Sequence, residues 1–485
     1  MSYRQVPAGI LVIAFSCASC VPTAQLASVH PVESAQWSIE ADSLPAEQRA
    51  VPADIAALLG SRDLAELTAT ALAHNTDIAI AAAGVDRASA LLSAARQAAL
   101  PAISISVGAS RESARTQSGF DFRSTFASLD LEWNLDPFGR IGGAKSAALA
   151  RTRAAEIQHE LVTLAVETNV AQAWVLRASL ARRVEIQDQT ISRAVELERV
   201  VRVRYQAGAA TRVDLGQQSM RVMNLRRSRT ELVEALDQTR TALAVLCGTE
   251  APPFTSAPAS ITAFAVPELA QPKPSALLAA RPDVRAREAI IAASKGDVRA
   301  ARAAFFPSIG ISAQGLLADV SGGLLTKSVT IGAAVLAPIF NRGQLRSNLK
   351  VTQADQAIAV EEYRATVLAA LSEVENLRKT KAAARERAVL LGTIIDEARL
   401  TARLARAQYI EGQEDLLTQI DAEQLLANAE DAQVVSLQER LLTQIALYRA
   451  MGGYCAWSTG TCARPSGLPT RSLALSALDR AQVSP

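Results

Sequence analysis

Apolar residues along this chain switch between two periods. From Ile103 the alternation is strict, with Ile103, Ile105 and Val107 on one side and Ser104, Ser106 and Gly108 on the other. A period of two means extended strand. The pattern returns with Leu129, Leu131 and Trp133 against Ser128, Asp130 and Glu132, and breaks at Asp136-Pro137-Phe138-Gly139-Arg140. Two more strands are predicted over 308–314 and 328–337, carrying Ile309, Ile311 and Ala313, then Val329, Ile331, Ala333 and Val335. Loops are expected at 110–121 and at Gly322-Gly323. Elsewhere apolar residues recur at three- and four-residue steps, as in Leu161, Leu164, Ala171 and Val175, and predict helix. Helices are expected from near Asp63, from Asn75-Thr76-Asp77 to about Ala99, from Ile141 to Arg204, and from Val213 to Leu246. Others cover about 275–305, Gln344 to Tyr409 and a last stretch ending at Met451. Pro101 and Pro307 stop helices, and Gly208, Gly248 and Gly412 end them.

This order of elements occurs twice. Ala94-Ala95-Arg96 through Pro101 reads against Ala300-Ala301-Arg302 through Pro307, Asp77 against Asp283, and Tyr205-x-x-Gly208 against Tyr409-x-x-Gly412. An offset of about two hundred residues is too long for a solenoid and implies duplication of a domain-sized unit. The organisation predicted is a leader (1–19), an extended linker (20–61), repeat one (62–248), a proline-rich linker (249–274), repeat two (275–453) and a tail (454–485). At 1.5 Å per residue the helix from Gln344 to Tyr409 extends on the order of 100 Å, far beyond what a globular core requires. It carries a heptad seam at Val360, Tyr363, Val367, Ala370, Val374 and Leu377, as a coiled-coil scaffold would.

Composition narrows the function classes. The net charge is +2 on 485 residues, which gives no support to a nucleic-acid partner. Arg4, the short apolar run Gly9–Phe15 and the small residues after it form a secretory leader. Cys20, and as a second candidate Cys17, stands where a bacterial lipoprotein is cleaved and lipidated; a Cys-x-x-Cys redox pair and plain secretion are the alternatives. Beyond the leader, no run of about eighteen uninterrupted apolar residues predicts a transmembrane helix. Membrane contact would then come from a lipid or from strands.

Four strands with one oily and one wet side match the pattern of an outer-membrane barrel, but about eight are needed for the smallest closure. Open sheet edges are excluded from lipid, so embedded strands must find partners in other copies. Three copies would supply about twelve strands and leave a lumen. The rival is a periplasmic coiled-coil scaffold whose strands form a small soluble cap.

Several segments, in order and duplicated, carry a family resemblance: Arg281-Pro282-Asp283-Val284, Ala300 to Pro307, Trp133 to Arg140, Pro338-Ile339-Phe340-Asn341-Arg342-Gly343, Tyr205-x-x-Gly208 with Asp214-Leu215, and Met451-Gly452-Gly453. The chain resembles the outer-membrane factor, TolC-like family, and most closely its NodT-type lipoprotein branch attached to RND pumps. The resemblance implies a mainly α chain with a small β part. Its trimer shares a twelve-stranded transmembrane β-barrel, four strands per chain, continued by a long periplasmic α-helical barrel. It implies a lipid-anchored outer-membrane location, a periplasmic adaptor (membrane fusion protein) and an inner-membrane RND pump as partners, and passive exit of small compounds. An exit duct for type I secretion is the alternative within the class.

The resemblance also places roles. Tyr205, Gly208, Tyr409 and Gly412 would mark the periplasmic tip that meets the adaptor; plain helix caps are the bland reading of the two glycines, and both readings are compatible. Asp421 would ring the pore constriction, and a solvated helix charge is its plain alternative. Thr418 stands where some relatives have a second ring aspartate. By parity Asp130 and Glu132 face the lumen, whereas Glu167, Glu373 and Glu375 read as helix-surface charges without a role. Cys455 and Cys462 are a disulfide pair or two free thiols, and Cys247 reads as a small buried residue. No cofactor, metal or catalytic residue is expected. His30, His74 and His159 are scattered, and no HExxH, Walker A or GxSxG pattern is present.

Overall fold

The computed structural model describes residues 55–114, 120–250, 260–264, 266, 269, 274–320 and 324–453. Cys17 and Cys20, the Gly322-Gly323 loop, most of the 249–274 linker, and Cys455 and Cys462 lie outside the described residues. In chain order the elements are α1 (Ile55–Leu59), α2 (Arg62–His74), α3 (Thr76–Gln97), β1 (Ala102–Ala114), β2 (Phe120–Leu135), α4 (Arg140–Gln206) and α5 (Arg212–Leu246). There follow α6 (Pro274–Ala280), α7 (Pro282–Ala303), β3 (Ser308–Val320), β4 (Leu324–Leu336), α8 (Arg342–Glu411) and α9 (Leu416–Ala450). They divide into two compact units.

One unit holds the sheet, α7, most of α3 and the first parts of α4 and α8. Its four strands are all antiparallel in the order β1-β2-β3-β4. The predicted 110–121 loop is corrected here. β1 continues to Ala114 and β2 begins at Phe120, with Arg111 opposite Arg123 and the Ser110 and Ser124 hydroxyls 2.8 Å apart. Polar side chains interrupted the hydrophobic alternation without interrupting the backbone ladder. Small residues set the helix packing. A Cβ on Gly143 would lie 2.7 Å from the Ala300 nitrogen, and one on Gly296 would lie 2.7 Å from the Ala147 nitrogen. The backbones of α4 and α7 therefore touch.

The second unit holds α1, α2, α5, α6, α9 and the remaining parts of α4 and α8. Trp174, Tyr448, Leu243, Leu277, Leu441 and Ile445 fill its core, and Cys247 is buried with its thiol pushed up in pKa by desolvation. The duplication reappears here as a shared device. Asn75 Nδ2 donates to the Leu246 carbonyl at 2.8 Å, closing α5, and Arg281 Nη1 donates to the Ala450 carbonyl at 2.8 Å, closing α9. Gly248 and Gly452 follow those helix ends at φ 64° and 83°, each against a backbone carbonyl, of His74 and Ala280 respectively. The reading of Glu167, Glu373 and Glu375 as surface charges is corrected. Glu167 is buried, Glu373 accepts from Arg281 Nη1 at 2.9 Å, and Glu375 lies 3.6 Å from Lys379. These charges sit beside the core residues Val166, Val170 and Val374, where the helices pack against neighbours rather than face water.

Candidate functional site

The first candidate surface is the sheet. Register decides what the four alternating strands make together, because a slip of one residue turns a whole stripe to the other side. Here Ile105 pairs with Leu129, Leu129 with Gly315, and Gly315 with Val329. The next row is Ile103, Leu131, Ala313 and Ile331, and the one on the other side is Val107, Ala127, Leu317 and Lys327. All four apolar stripes thus share one face, and that face is uncovered, with Ile331 77% exposed. Ser104, Ser106, Ser128, Asp130, Glu132, Ser312, Gln314 and Thr330 share the other.

The apolar face has marked ends. At one, Asp319 and Lys327 are diagonal neighbours across β3 and β4. At the other, the Trp133 indole N–H donates to the Ala99 carbonyl at 3.1 Å, and Phe138 stacks on Phe306 with ring centroids 4.9 Å apart. Aromatic residues at an apolar–polar boundary are what a membrane interface favours. Between these ends β2 runs nine residues, or eight steps, from Ala127 to Leu135. At ~3.4 Å per residue and ~45° tilt this is roughly 20 Å of height, close to the apolar band of an outer-membrane barrel. On the polar face, the Asp130 carboxylate accepts from Ser128 Oγ and Gln314 Nε2, both at 2.6 Å, and so ties β2 to β3.

The second candidate surface is the pair of helix turns. Gly208 and Gly412 have φ 78° and 77°. The N–H of Ala209 returns to Arg204 at 2.8 Å and that of Gln413 to Gln408 at 2.9 Å, so both helices close in Schellman turns. The next helices are then capped. Thr211 and Asp214 form a reciprocal capping box, and Asp415 accepts from the Thr418 N–H at 2.8 Å. Those backbone donors hold the Asp214 and Asp415 carboxyls below the usual aspartate range.

The two tip tyrosines, equivalent in sequence, are not equivalent in space. Tyr205 is 40% exposed, whereas Tyr409 is 4% exposed and packs with Leu197, Val201 and Leu215. Arg204 explains the difference. Its guanidinium lies 4.2 Å from the Tyr409 ring centroid and donates to the Tyr409 carbonyl at 2.8 Å, joining the ends of α4 and α8. Sequence alone does not single out Arg204; the local signal is a cation beside the aromatic of one turn where the other turn has Gln408. Asp421 is exposed on α9. Desolvation lowers the pKa of the nearby Arg221, with the charges of Glu423 and Asp421 opposing. Among the described residues no group of His, Cys, Asp and Glu could hold a metal ion.

Comparisons with known proteins agree with this geometry. The profile of a family described as Outer membrane efflux protein matches residues 67–249 and 274–453. The pyoverdine export outer membrane protein OpmQ of Pseudomonas putida is 30% identical over 414 residues, covering 81% of this chain and 86% of OpmQ. The outer-membrane channel OprN superposes with a TM-score of 0.76 at 25% identity, covering 87% of this chain and 98% of OprN. The open-state MtrE outer membrane channel of Neisseria gonorrhoeae does so with a TM-score of 0.78 at 24% identity, covering 90% and 98%.

Proposed function

Because the chain belongs to the outer membrane efflux protein family, we propose that it is the passive exit duct of a tripartite efflux system. It is an outer-membrane channel component with a TolC-like fold. In our reading three copies close a shared barrel of about twelve strands, since four strands leave two open edges that lipid does not tolerate. An inner-membrane RND pump supplies the energy, and a periplasmic adaptor joins pump and duct. Cys20 carries the lipid anchor. The turns at Tyr205 to Gly208 and Tyr409 to Gly412 form the tip that meets the adaptor, with Tyr205 as the accessible ring and Tyr409 as the anchor held by Arg204. Asp421 from three copies lines the narrow end, where like carboxylates would concentrate cations.

One observation carries this reading: the register collects every apolar stripe onto a single uncovered face of membrane height. No chemistry is asked of the protein beyond a wall that is oily outside and wet inside. Single cysteines at Ile105, Ile331, Ser104 and Thr330 test it in outer-membrane fractions. A lipid-phase thiol probe should label the first two and spare the others, and the extracted protein should run as a trimer. Equal labelling of all four, or a soluble periplasmic monomer, would reject the duct. Co-purification with an RND pump rather than an ABC transporter separates efflux from type I secretion.

A further inference from the structure

The helical unit holds a cavity that the duct reading leaves idle. It measures about 240 Å³ and lies where α4, α8, α9 and the short turn Ile261–Ala263 meet. Arg182 of α4, Arg399 of α8 and Arg440 of α9 line it, together with Glu430, Gln433 and Ser436. Three guanidiniums from three helices thus share one lining with a single carboxylate. Cations gathered in a concave site repel one another and focus a positive potential.

Two of the three are already compensated. Arg182 lies 2.7 Å from Glu185, and Arg399 lies 3.9 Å from both Asp396 and Glu430. Glu430 is shared further, with Arg193 3.6 Å away. Arg440 differs: among the described residues it has no hydrogen bond and no ion pair. One turn earlier on the same face of α9, the Ser436 hydroxyl is buried and has no hydrogen-bond partner. Arg440 also lines an adjoining cavity of about 180 Å³, with Lys381 and Arg385.

The internal repeat shows that helix packing does not call for these groups. α5 and α9 are each 35 residues long and run in step, with Gly248 and Gly452 behind them. On α5 the positions that match Ser436 and Arg440 hold Leu232 and Leu236. A half-buried arginine in place of leucine is costly unless its charge has something to bind.

The donors say what that is. Each guanidinium is a rigid planar fork that fits two oxygens of an oxyanion. Three forks and a hydroxyl around one volume suit a tetrahedral anion, whose oxygens point in several directions, better than a planar carboxylate. The volume falls below the ~300–1,000 Å³ of pockets for drug-sized ligands. We infer that this cavity binds a phosphate group, either free inorganic phosphate or the phosphate of a lipid headgroup. Arg440 and Ser436 hold it, and Arg182 and Arg399 supply the surrounding charge. The occupant would tie α9 to α4 and α8, and the site stands whether or not the chain is a duct.

Calorimetric titration of the detergent-solubilised full chain tests the assignment. The probes are inorganic phosphate and, separately, a short-chain phosphatidic acid below its micelle concentration, both in chloride buffer of constant ionic strength. One saturable site per chain is expected. Arg440→Leu, which installs the side chain that repeat one carries at this place, should weaken binding roughly tenfold or more with the far-ultraviolet helix signal intact. Ser436→Ala should weaken it several-fold, and Arg226→Gln, at an exposed arginine of α5 outside the cavity, should leave it unchanged. Saturation by inorganic phosphate identifies the free anion as a ligand; saturation by the lipid alone identifies the headgroup. No saturable heat from either probe, or equal affinity in Arg440→Leu and the parent chain, overturns the site. If Arg440→Leu loses its helix signal, Arg440→Lys decides, because it keeps the charge and loses the fork. Undiminished binding in both Arg440→Lys and Ser436→Ala would then overturn the site.

Discussion

Ile331→Lys against Thr330→Lys is the sharpest test of how this chain meets its surroundings. The two positions are adjacent on β4, yet the register sends Ile331 to the face shared with Ile103, Leu131 and Ala313, and Thr330 to the face shared with Ser104, Asp130 and Gln314. Ile331 lies four residues from Lys327 and four from Val335, midway along the apolar stripe. Four residues are ~14 Å of strand and, at ~45° tilt, ~10 Å of membrane depth, which puts Ile331 near the midplane. A lysine on the lipid face there costs about 2–4 kcal/mol, falling to about 0–1 near the interfaces, where Lys327 already stands. Per chain that lowers the folded-to-unfolded ratio roughly thirty- to a thousandfold, and each of three copies incurs it. Thr330→Lys instead meets water and the neighbouring Gln314 on the polar face and should change stability little. The assay is urea unfolding of the protein refolded into phospholipid vesicles, read by tryptophan emission and heat-modifiable migration. Equal losses in the two variants, or a larger loss for Thr330→Lys, would refute the assignment of faces.

Other outcomes follow from the helices. Gly296→Leu places a side chain against the Ala147 backbone and should lower stability by about 1–3 kcal/mol, seen as a reduced Tm, whereas Gly216→Leu, with nothing within 4 Å of its Cβ, should not lower it. Gly208→Ala meets only the left-handed backbone penalty of about 1–2 kcal/mol. Gly248→Ala adds a collision with the His74 carbonyl, so it should fall well below Gly208→Ala in thermal melts. Acid should loosen the tip. The Asp214 and Asp415 carboxyls are depressed in the folded chain, so their stabilisation is complete above the unfolded value of about 3.9 and is lost as pH falls through the folded values. Amide exchange over 211–218 and 415–419 should accelerate below about pH 4, and Asp214→Asn should remove the pH dependence of the first segment only.

How much of this was legible in advance depends on the range of the physics involved. Strand alternation, helix periodicity, glycine stops, the helix start at Asn75-Thr76-Asp77 and the duplication are written in the residues themselves and are readable. The 110–121 region reads as loop in sequence, because strand pairing there depends on a partner strand rather than on hydrophobic alternation. At the tip, sequence marked Gly208 and Gly412 through the conformation they permit, and it treated Tyr205 and Tyr409 alike.

The sequence by itself determined that each ribbon has an oily and a wet side and that one lone copy supplies too few ribbons to close. It also determined that the unit occurs twice, since all of these follow from local pattern. Only the tertiary structure decided that the four oily sides coincide, because that requires matched registers between strands far apart in the chain. The same holds for the buried Tyr409 beneath Arg204, the backbone contact of Gly143 and Gly296, and the paired Glu373. Each depends on which distant residue arrives opposite, and no run of adjacent letters encodes that.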